Sequence, residues 1–134
     1  MLIIIFVLYC FFLLTLSALK SAGLFLPLLL QFQAMLGGDK LMHLQLATIL
    51  SLLACLAFQI FFVRKAIDLI WQLLVIFVVL STALLLDELH QYLLSSRHFE
   101  LMDTVFGILG IAIGLVVYCA VVVIKNYRAK VFRI

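Results

Sequence analysis

The sequence predicts an all-α, polytopic membrane protein built as a bundle of four transmembrane helices. Of its 134 residues, 69% are hydrophobic and only 11% are charged, whereas about a quarter of the residues in soluble domains are charged. Four apolar runs approach the roughly 20 residues that a helix needs to cross the hydrocarbon core. With one Pro, six Gly and no polar linker, residues 1–134 are predicted to form a single domain.

The four predicted spans are residues 2–19, 41–63, 69–86 and 104–124. The first run also has the apolar character of a signal peptide. It lacks a basic segment before it and is long for a signal-peptide core, so we expect it to be retained as a span. An even number of spans places both termini on the same side of the membrane.

Two further apolar stretches, 23–36 with Pro27 and 89–102, are too short to cross the membrane. They are expected to form interfacial or re-entrant half-helices on the outer side, where irregular backbone is tolerated if it is buried in protein or lines a wet cavity. Surface loops lying among the lipid headgroups are the alternative.

The distribution of basic residues predicts the orientation of the bundle. Cytoplasmic connections of membrane proteins carry an excess of Lys and Arg. The end of the bundle that holds both termini carries six bases: Arg64, Lys65, Lys125, Arg128, Lys130 and Arg133. The opposite end has Lys20, Lys40 and Arg97. We therefore expect cytoplasmic termini in the plasma membrane, and we attribute the basic tail to topology and anionic lipid rather than to nucleic acid.

In this orientation, most of the acid and all the histidine lie at the outer end. The outer acids are Asp39, Asp87, Glu88, Glu100 and Asp103, and the histidines are His43, His90 and His98. Five acids against three bases leave a formal charge of −2 with neutral histidines. A proton, a cation or a basic ligand would compensate this charge.

Asp39 and His43 are four residues apart and share a face at the start of the second span. A carboxylate beside an imidazole is suited to proton transfer or metal binding. Alternatively, Asp39 following Gly37 and Gly38 is a helix N-cap that only stabilises the helix. Lys40 is expected to point away from this face.

A second set of polar residues lies at the end of the third span. Asp87 and Gln91 share a helix face, while Glu88 is turned by about 100° from Asp87. Arg97 and Asp103 follow, and they either pair with each other or leave Arg97 to hold a phosphate. The group is interpreted as a ligand or catalytic site, or equally as a salt-bridge network that links loops.

Small residues on the fourth span predict close helix packing. Gly110 and Gly114 form a small-xxx-small face, with Gly107 one turn earlier. The spacing does not distinguish a partner within the bundle from one in a second subunit. Cys10, Cys55 and Cys119 lie inside apolar runs, which disfavours disulfides.

The order and spacing of these polar residues and glycines resemble the sequence pattern of the VanZ-like family. The resemblance covers residues 39–114 and rests on Asp39, Lys40, His43, Asp87, Glu88, Gln91, Arg97, Asp103, Gly110 and Gly114. It implies a small bacterial membrane protein linked to resistance to the glycopeptide antibiotic teicoplanin. The family pattern commonly has Asn where this chain has Gly107, and an aromatic residue where it has Ala47.

Three functions follow as hypotheses. The first is a cell-envelope protein whose outer polar site binds a lipid headgroup, a cell-wall precursor or a cation, with the membrane lipid, precursor or glycopeptide as partner. The second is an integral-membrane enzyme acting on a lipid-linked or phosphate-bearing substrate, and the third is a structural or assembly partner. The sequence has no nucleophile motif, zinc-protease spacing or nucleotide fingerprint, so catalysis, cofactor and metal are left unassigned.

Overall fold

The computed structural model of the chain describes residues 1–93 and 100–131, without the side chains of Tyr92 and of residues 129–131. The described part is all-helical, which confirms the predicted fold class. Its helices are α1 (Leu2–Ser21), α2 (Leu26–Met35), α3 (Asp39–Arg64), α4 (Leu69–Tyr92) and α5 (Leu101–Val131).

Four of these helices are long and apolar enough to cross a membrane, namely α1, α3, α4 and α5. The 20 residues of α1 correspond to about 30 Å of helix, the thickness of a hydrocarbon core. The chain is therefore a multi-pass membrane protein. α3 and α5 begin before their predicted spans and α4 ends after its span, because Asp39, Asp87 and Asp103 continue the helices beyond the purely apolar runs.

The short helix α2 accounts for the first of the two predicted non-spanning segments. It has 10 residues, with Pro27 in its first turn, where a missing N–H costs nothing. Phe25 precedes it in the left-handed region at φ 55°, and Gly37 and Gly38 follow it at φ 91° and 105°. These positive φ angles make sharp turns that fold α2 back between α1 and α3.

The second predicted segment, 89–102, is described only at its two ends. Residues up to Tyr92 continue α4, and α5 begins at Leu101. Residues 94–99, including Arg97 and His98, lie outside the described residues.

The core lies between α3 and α5, which make the most extensive contact in the bundle. Gly110 faces the carbonyl oxygen of Leu44, and Gly114 faces Ser51, so closely that a Cβ at either glycine would overlap these atoms. The predicted small-residue face therefore packs on α3 of the same chain. Thr48 Oγ1 lies 3.1 Å from the carbonyl oxygen of Gly110 and joins the two helices.

α1 is peripheral to this core and has no buried residue. Its side chains are mostly exposed and apolar, as expected for a helix in contact with lipid. The up-and-down order of the spans brings the C-terminal turns of α1 and α4 to the same end of the bundle as the N-terminal turns of α3 and α5. We call this the polar end.

Candidate functional site

An ion pair at the polar end joins α1 to α3. Lys20 Nζ lies 2.8 Å from Asp39 Oδ1 and 3.0 Å from Asp39 Oδ2. Both side chains are partly buried, with 23% and 27% of their surface exposed. The pair therefore ties the end of α1 to the start of α3.

Asp39 and Asp103 flank the imidazole of His43. His43 Nε2 lies 3.7 Å from Asp39 Oδ1 and 3.6 Å from Asp103 Oδ2. One ligand atom from each of the three residues lies within 4.8 Å of the other two. We call Asp39, His43 and Asp103 the Asp–His–Asp cluster.

Asp103 is the most buried member of this cluster, with 4% of the residue exposed. Its Oδ1 atom is buried and makes no hydrogen bond within the described structure. A buried carboxylate oxygen without a partner carries a substantial desolvation cost. This atom is therefore an available ligand or acceptor.

A separate hydrogen-bond network links α1 to α4. Ser17 Oγ lies 2.9 Å from Asp87 Oδ1, and Gln91 Nε2 donates to Asp87 Oδ2 at 2.6 Å. Gln91 Nε2 also lies 3.3 Å from Ser17 Oγ. The donors that hold the Asp87 carboxylate are both uncharged.

His43 of the Asp–His–Asp cluster and the three residues of the Asp87 network border one cavity of about 330 Å³, which is lined by residues of all five helices. Its lining is amphipathic. The polar end contributes Ser17, Lys20, Gln33, His43, Asp87 and Gln91, and the deeper part is lined by apolar side chains such as Leu13, Leu46, Leu50, Leu80 and Ile111. From Leu80 to Gln91, α4 rises by about 16 Å along the cavity.

The structure brings together Asp39, His43 and Asp103, and it places Asp87 and Gln91 on the same cavity as His43. Glu88 is buried but does not line this cavity, in agreement with its different helix face. Lys40 is exposed and borders a shallow groove with Phe106 instead. Arg97 belongs to the undescribed residues.

The N-cap interpretation of Asp39 is wrong. Gly38 is the N-cap of α3, Asp39 is the first helical residue, and no side-chain cap hydrogen bond forms. The carboxylate is engaged by Lys20 instead. As an acid in the first turn, Asp39 still interacts favourably with the positive end of the helix dipole.

The sequence analysis missed Ser17, Lys20 and Gln33. Ser17 and Lys20 are three residues apart and share one face of α1, a spacing that would have indicated a polar stripe at the end of the first span. Gln33 carries no such signal, because its position depends on how α2 folds back.

Gly107 occupies the position at which the family pattern commonly has Asn. A Cβ added there would lie 2.6 Å from Leu84 Cδ2. The residue is buried, and the space that an Asn side chain would need is filled by Leu84. Gly107 therefore allows close packing between α5 and α4.

Comparison with known proteins gives no match: no family model fits the chain, and no curated protein or solved structure is significantly similar to it.

Proposed function

We propose that this chain is a VanZ-like protein of the bacterial cell envelope that binds the amine-bearing headgroup of a lipid in the cavity at its polar end. The observation that carries the proposal is the Asp87 carboxylate, which borders an amphipathic cavity and is held by neutral donors.

The Asp87 carboxylate favours a cationic group in the cavity, because the other charged lining residue, Lys20, is paired with Asp39. Ser17 and Gln91 orient the Asp87 carboxylate without neutralising it. In a partly buried site, where the effective dielectric constant is well below that of water, an ammonium group gains more from such a carboxylate than it does in solution. A primary amine also donates hydrogen bonds, and these bonds to a charged acceptor are strong.

The remainder of the lining suits the other parts of a lipid. Lys20 and Gln33 offer donors to a phosphate or a glycerol oxygen, and the apolar side chains deeper in the cavity can contact a few methylene groups. The volume of about 330 Å³ lies at the low end of the range for ligand sites. It suits a headgroup with the start of an acyl chain, but it does not enclose a glycopeptide antibiotic.

The excess of bases at the opposite end supports an outward-facing polar end. An outward site has access to the outer leaflet, where lipid-linked cell-wall precursors are exposed to glycopeptides. Through the family resemblance, we extend the proposal to reduced teicoplanin susceptibility, caused by binding of an amine-bearing lipid in that leaflet and not by capture of the drug.

A lipid-binding experiment tests the site. The purified full chain in mild detergent is incubated with phosphatidylethanolamine or phosphatidylglycerol, and retained lipid is counted by native mass spectrometry. We expect preferential retention of phosphatidylethanolamine, reduced about tenfold by Asp87→Asn, which corresponds to roughly 1.4 kcal/mol. Glu100→Gln is the matched control, since it removes an exposed carboxylate at the same end. Equal retention of the two lipids, or no effect of Asp87→Asn, contradicts the proposal.

A cellular experiment tests the extension to resistance. The wild-type chain and Asp87→Asn are expressed at matched membrane levels in a teicoplanin-sensitive host. We expect the wild type to raise the inhibitory concentration and the variant to lose this effect. Unchanged susceptibility with the wild-type protein present would refute the link to resistance and leave the lipid-binding result to be judged by itself.

A further inference from the structure

The Asp–His–Asp cluster has a different chemistry from the Asp87 network. Two carboxylates and an imidazole converge from the first two turns of α3 and the first turn of α5. From this arrangement we infer that Asp39, His43 and Asp103 bind one divalent first-row transition metal ion of the zinc or manganese type. The inference stands apart from the lipid proposal, because none of its three ligands contacts Asp87 in the described hydrogen-bond network.

The separations of His43 Nε2 from the two carboxylates are close to those between ligands of one metal ion. Ligands about 2.0–2.2 Å from a tetrahedral zinc ion lie roughly 3.3 Å from one another. His43 Nε2 lies 3.6 Å and 3.7 Å from its two carboxylate neighbours. Both distances are too long for hydrogen bonds. Each would shorten by a few tenths of an ångström on metal binding, and the carboxylate oxygens of Asp39 and Asp103, which lie within 4.8 Å of each other, would move together toward the same separation.

Asp103 supplies an independent indication of a missing partner. The residue is 4% exposed, and its Oδ1 atom is buried without a hydrogen bond in the described structure. A carboxylate in such a position is normally paired or coordinates a metal. A divalent ion beside Asp103 would compensate both of its oxygens at once.

Lys20 compensates only part of the local negative charge. Its ammonium group contacts both oxygens of Asp39, while Asp103 faces the imidazole. A carboxylate has about four lone-pair positions, so Asp39 can bind a metal while Lys20 retains a contact. The positive charge of Lys20 nevertheless opposes a cation, and its removal should strengthen metal binding.

The ligand types select the class of metal. Imidazole suits zinc, iron and nickel, whereas magnesium and calcium prefer shells made of oxygen. With three protein ligands the site keeps an open coordination position, as catalytic and ligand-binding metals do. His43 also lines the cavity, so the open position is adjacent to that space.

Metal binding is measured directly on the full chain, purified in detergent with an affinity tag that lacks histidine. After treatment with a chelator and its removal, Zn²⁺ is titrated by calorimetry, and Co²⁺ is added to separate samples for absorption spectroscopy. We expect one ion per chain and Co²⁺ absorption bands typical of bound metal. Mg²⁺ at the same concentration should not compete.

Three variants locate the site. His43→Gln and Asp103→Asn should each weaken Zn²⁺ binding at least tenfold, and Lys20→Met should strengthen it. His90→Ala is the matched control, because His90 is an exposed histidine at the same end of the bundle. Binding as tight in His43→Gln as in the wild type, or equally weakened in His90→Ala, overturns the inference.

Thermal unfolding shows whether a variant that fails to bind metal is still folded. An ion that binds only the folded state raises the unfolding temperature, so Zn²⁺ should stabilise the wild type and fail to stabilise His43→Gln. If Asp103→Asn does not fold, His43→Gln and Lys20→Met decide the result. A wild type that takes up no Zn²⁺, Co²⁺ or Mn²⁺ overturns the inference outright.

Discussion

Gly110 of α5 lies directly against the carbonyl oxygen of Leu44 in α3, with Ala47 also at the contact. The obstacle to a larger residue here is backbone, which cannot rotate away. This contact fixes the approach of α3 to α5, and with it the distance between the helix starts that carry His43 and Asp103. The geometry of the polar end thus depends on a glycine two turns deeper in the bundle.

Gly110→Ala is expected to destabilise the fold. Overpacking of a tight site typically costs about 1–3 kcal/mol, which outweighs the gain of up to about 1 kcal/mol in helix propensity. The measurement is reversible unfolding in detergent.

Gly107→Ala is the control for Gly110→Ala on the same helix. At Gly107 the added methyl group would meet only the end of the flexible Leu84 side chain. We expect a change near zero for this variant. Equal destabilisation by the two substitutions would show that the backbone contact at Gly110 has no special role.

Gly107→Asn tests whether Gly107 and Leu84 compete for the same space. The Asn side chain would overlap Leu84, so we expect the single variant to unfold more readily, by about 1–3 kcal/mol. Leu84→Ala opens space on α4 and itself costs roughly 2–5 kcal/mol if it leaves a cavity.

The two changes should be less than additive when combined, and a double-mutant cycle in detergent measures this coupling. Strict additivity would mean that Gly107 and Leu84 do not compete for the same space.

The sequence was sufficient to predict the four spans, because the length of an apolar run alone identifies a membrane span. It also placed Asp39 with His43, and Asp87 with Gln91, since four-residue spacing determines a shared helix face. It could not identify Lys20 as the partner of Asp39, because that contact depends on how α1 is positioned beside α3. The partner of Gly110 was equally inaccessible, since a small-residue spacing predicts close approach but not the helix that approaches.

A charge swap across the Lys20–Asp39 pair tests whether Asp39 has a structural role or a metal-binding role. In the swap Lys20→Asp with Asp39→Lys, the ion pair can form again with its charges reversed. We expect each single change to lower stability and the swap to recover part of the loss, with a coupling of about 1 kcal/mol, as for partly exposed pairs.

Unfolding of the four proteins of this cycle in detergent measures the coupling, and Zn²⁺ titration of the swap provides the second readout. The swap removes the Asp39 carboxylate from the Asp–His–Asp cluster, so recovered stability should be accompanied by lost metal binding. Recovery of both properties would assign Asp39 a purely structural role.

A buried hydrogen bond far from the polar end should affect stability alone. Gln72 Nε2 donates to Tyr118 Oη at 3.3 Å between α4 and α5, and both residues are almost fully buried. Tyr118→Phe removes the acceptor and leaves a buried amide, which costs about 1–3 kcal/mol.

In Tyr118→Phe, lipid retention and Zn²⁺ affinity should equal those of the wild type, measured at a temperature at which both proteins are folded. Gln72→Leu combined with Tyr118→Phe removes both polar partners and should regain part of the stability. Weakened Zn²⁺ binding in Tyr118→Phe would show that the polar end is coupled to the whole bundle.

The orientation of the bundle can be measured with single cysteines. After Cys10, Cys55 and Cys119 are replaced by Ser, a cysteine is introduced either at Leu24, an exposed position between α1 and α2, or at Lys65, an exposed position between α3 and α4. Because the bases around Lys65 favour the cytoplasmic side, a membrane-impermeant maleimide added to intact cells should label the first site and not the second. Permeabilised cells supply the control, since both sites should then react. Labelling of only the Lys65 site in intact cells would place the polar end in the cytoplasm and remove the physical basis for an encounter with extracellular antibiotic.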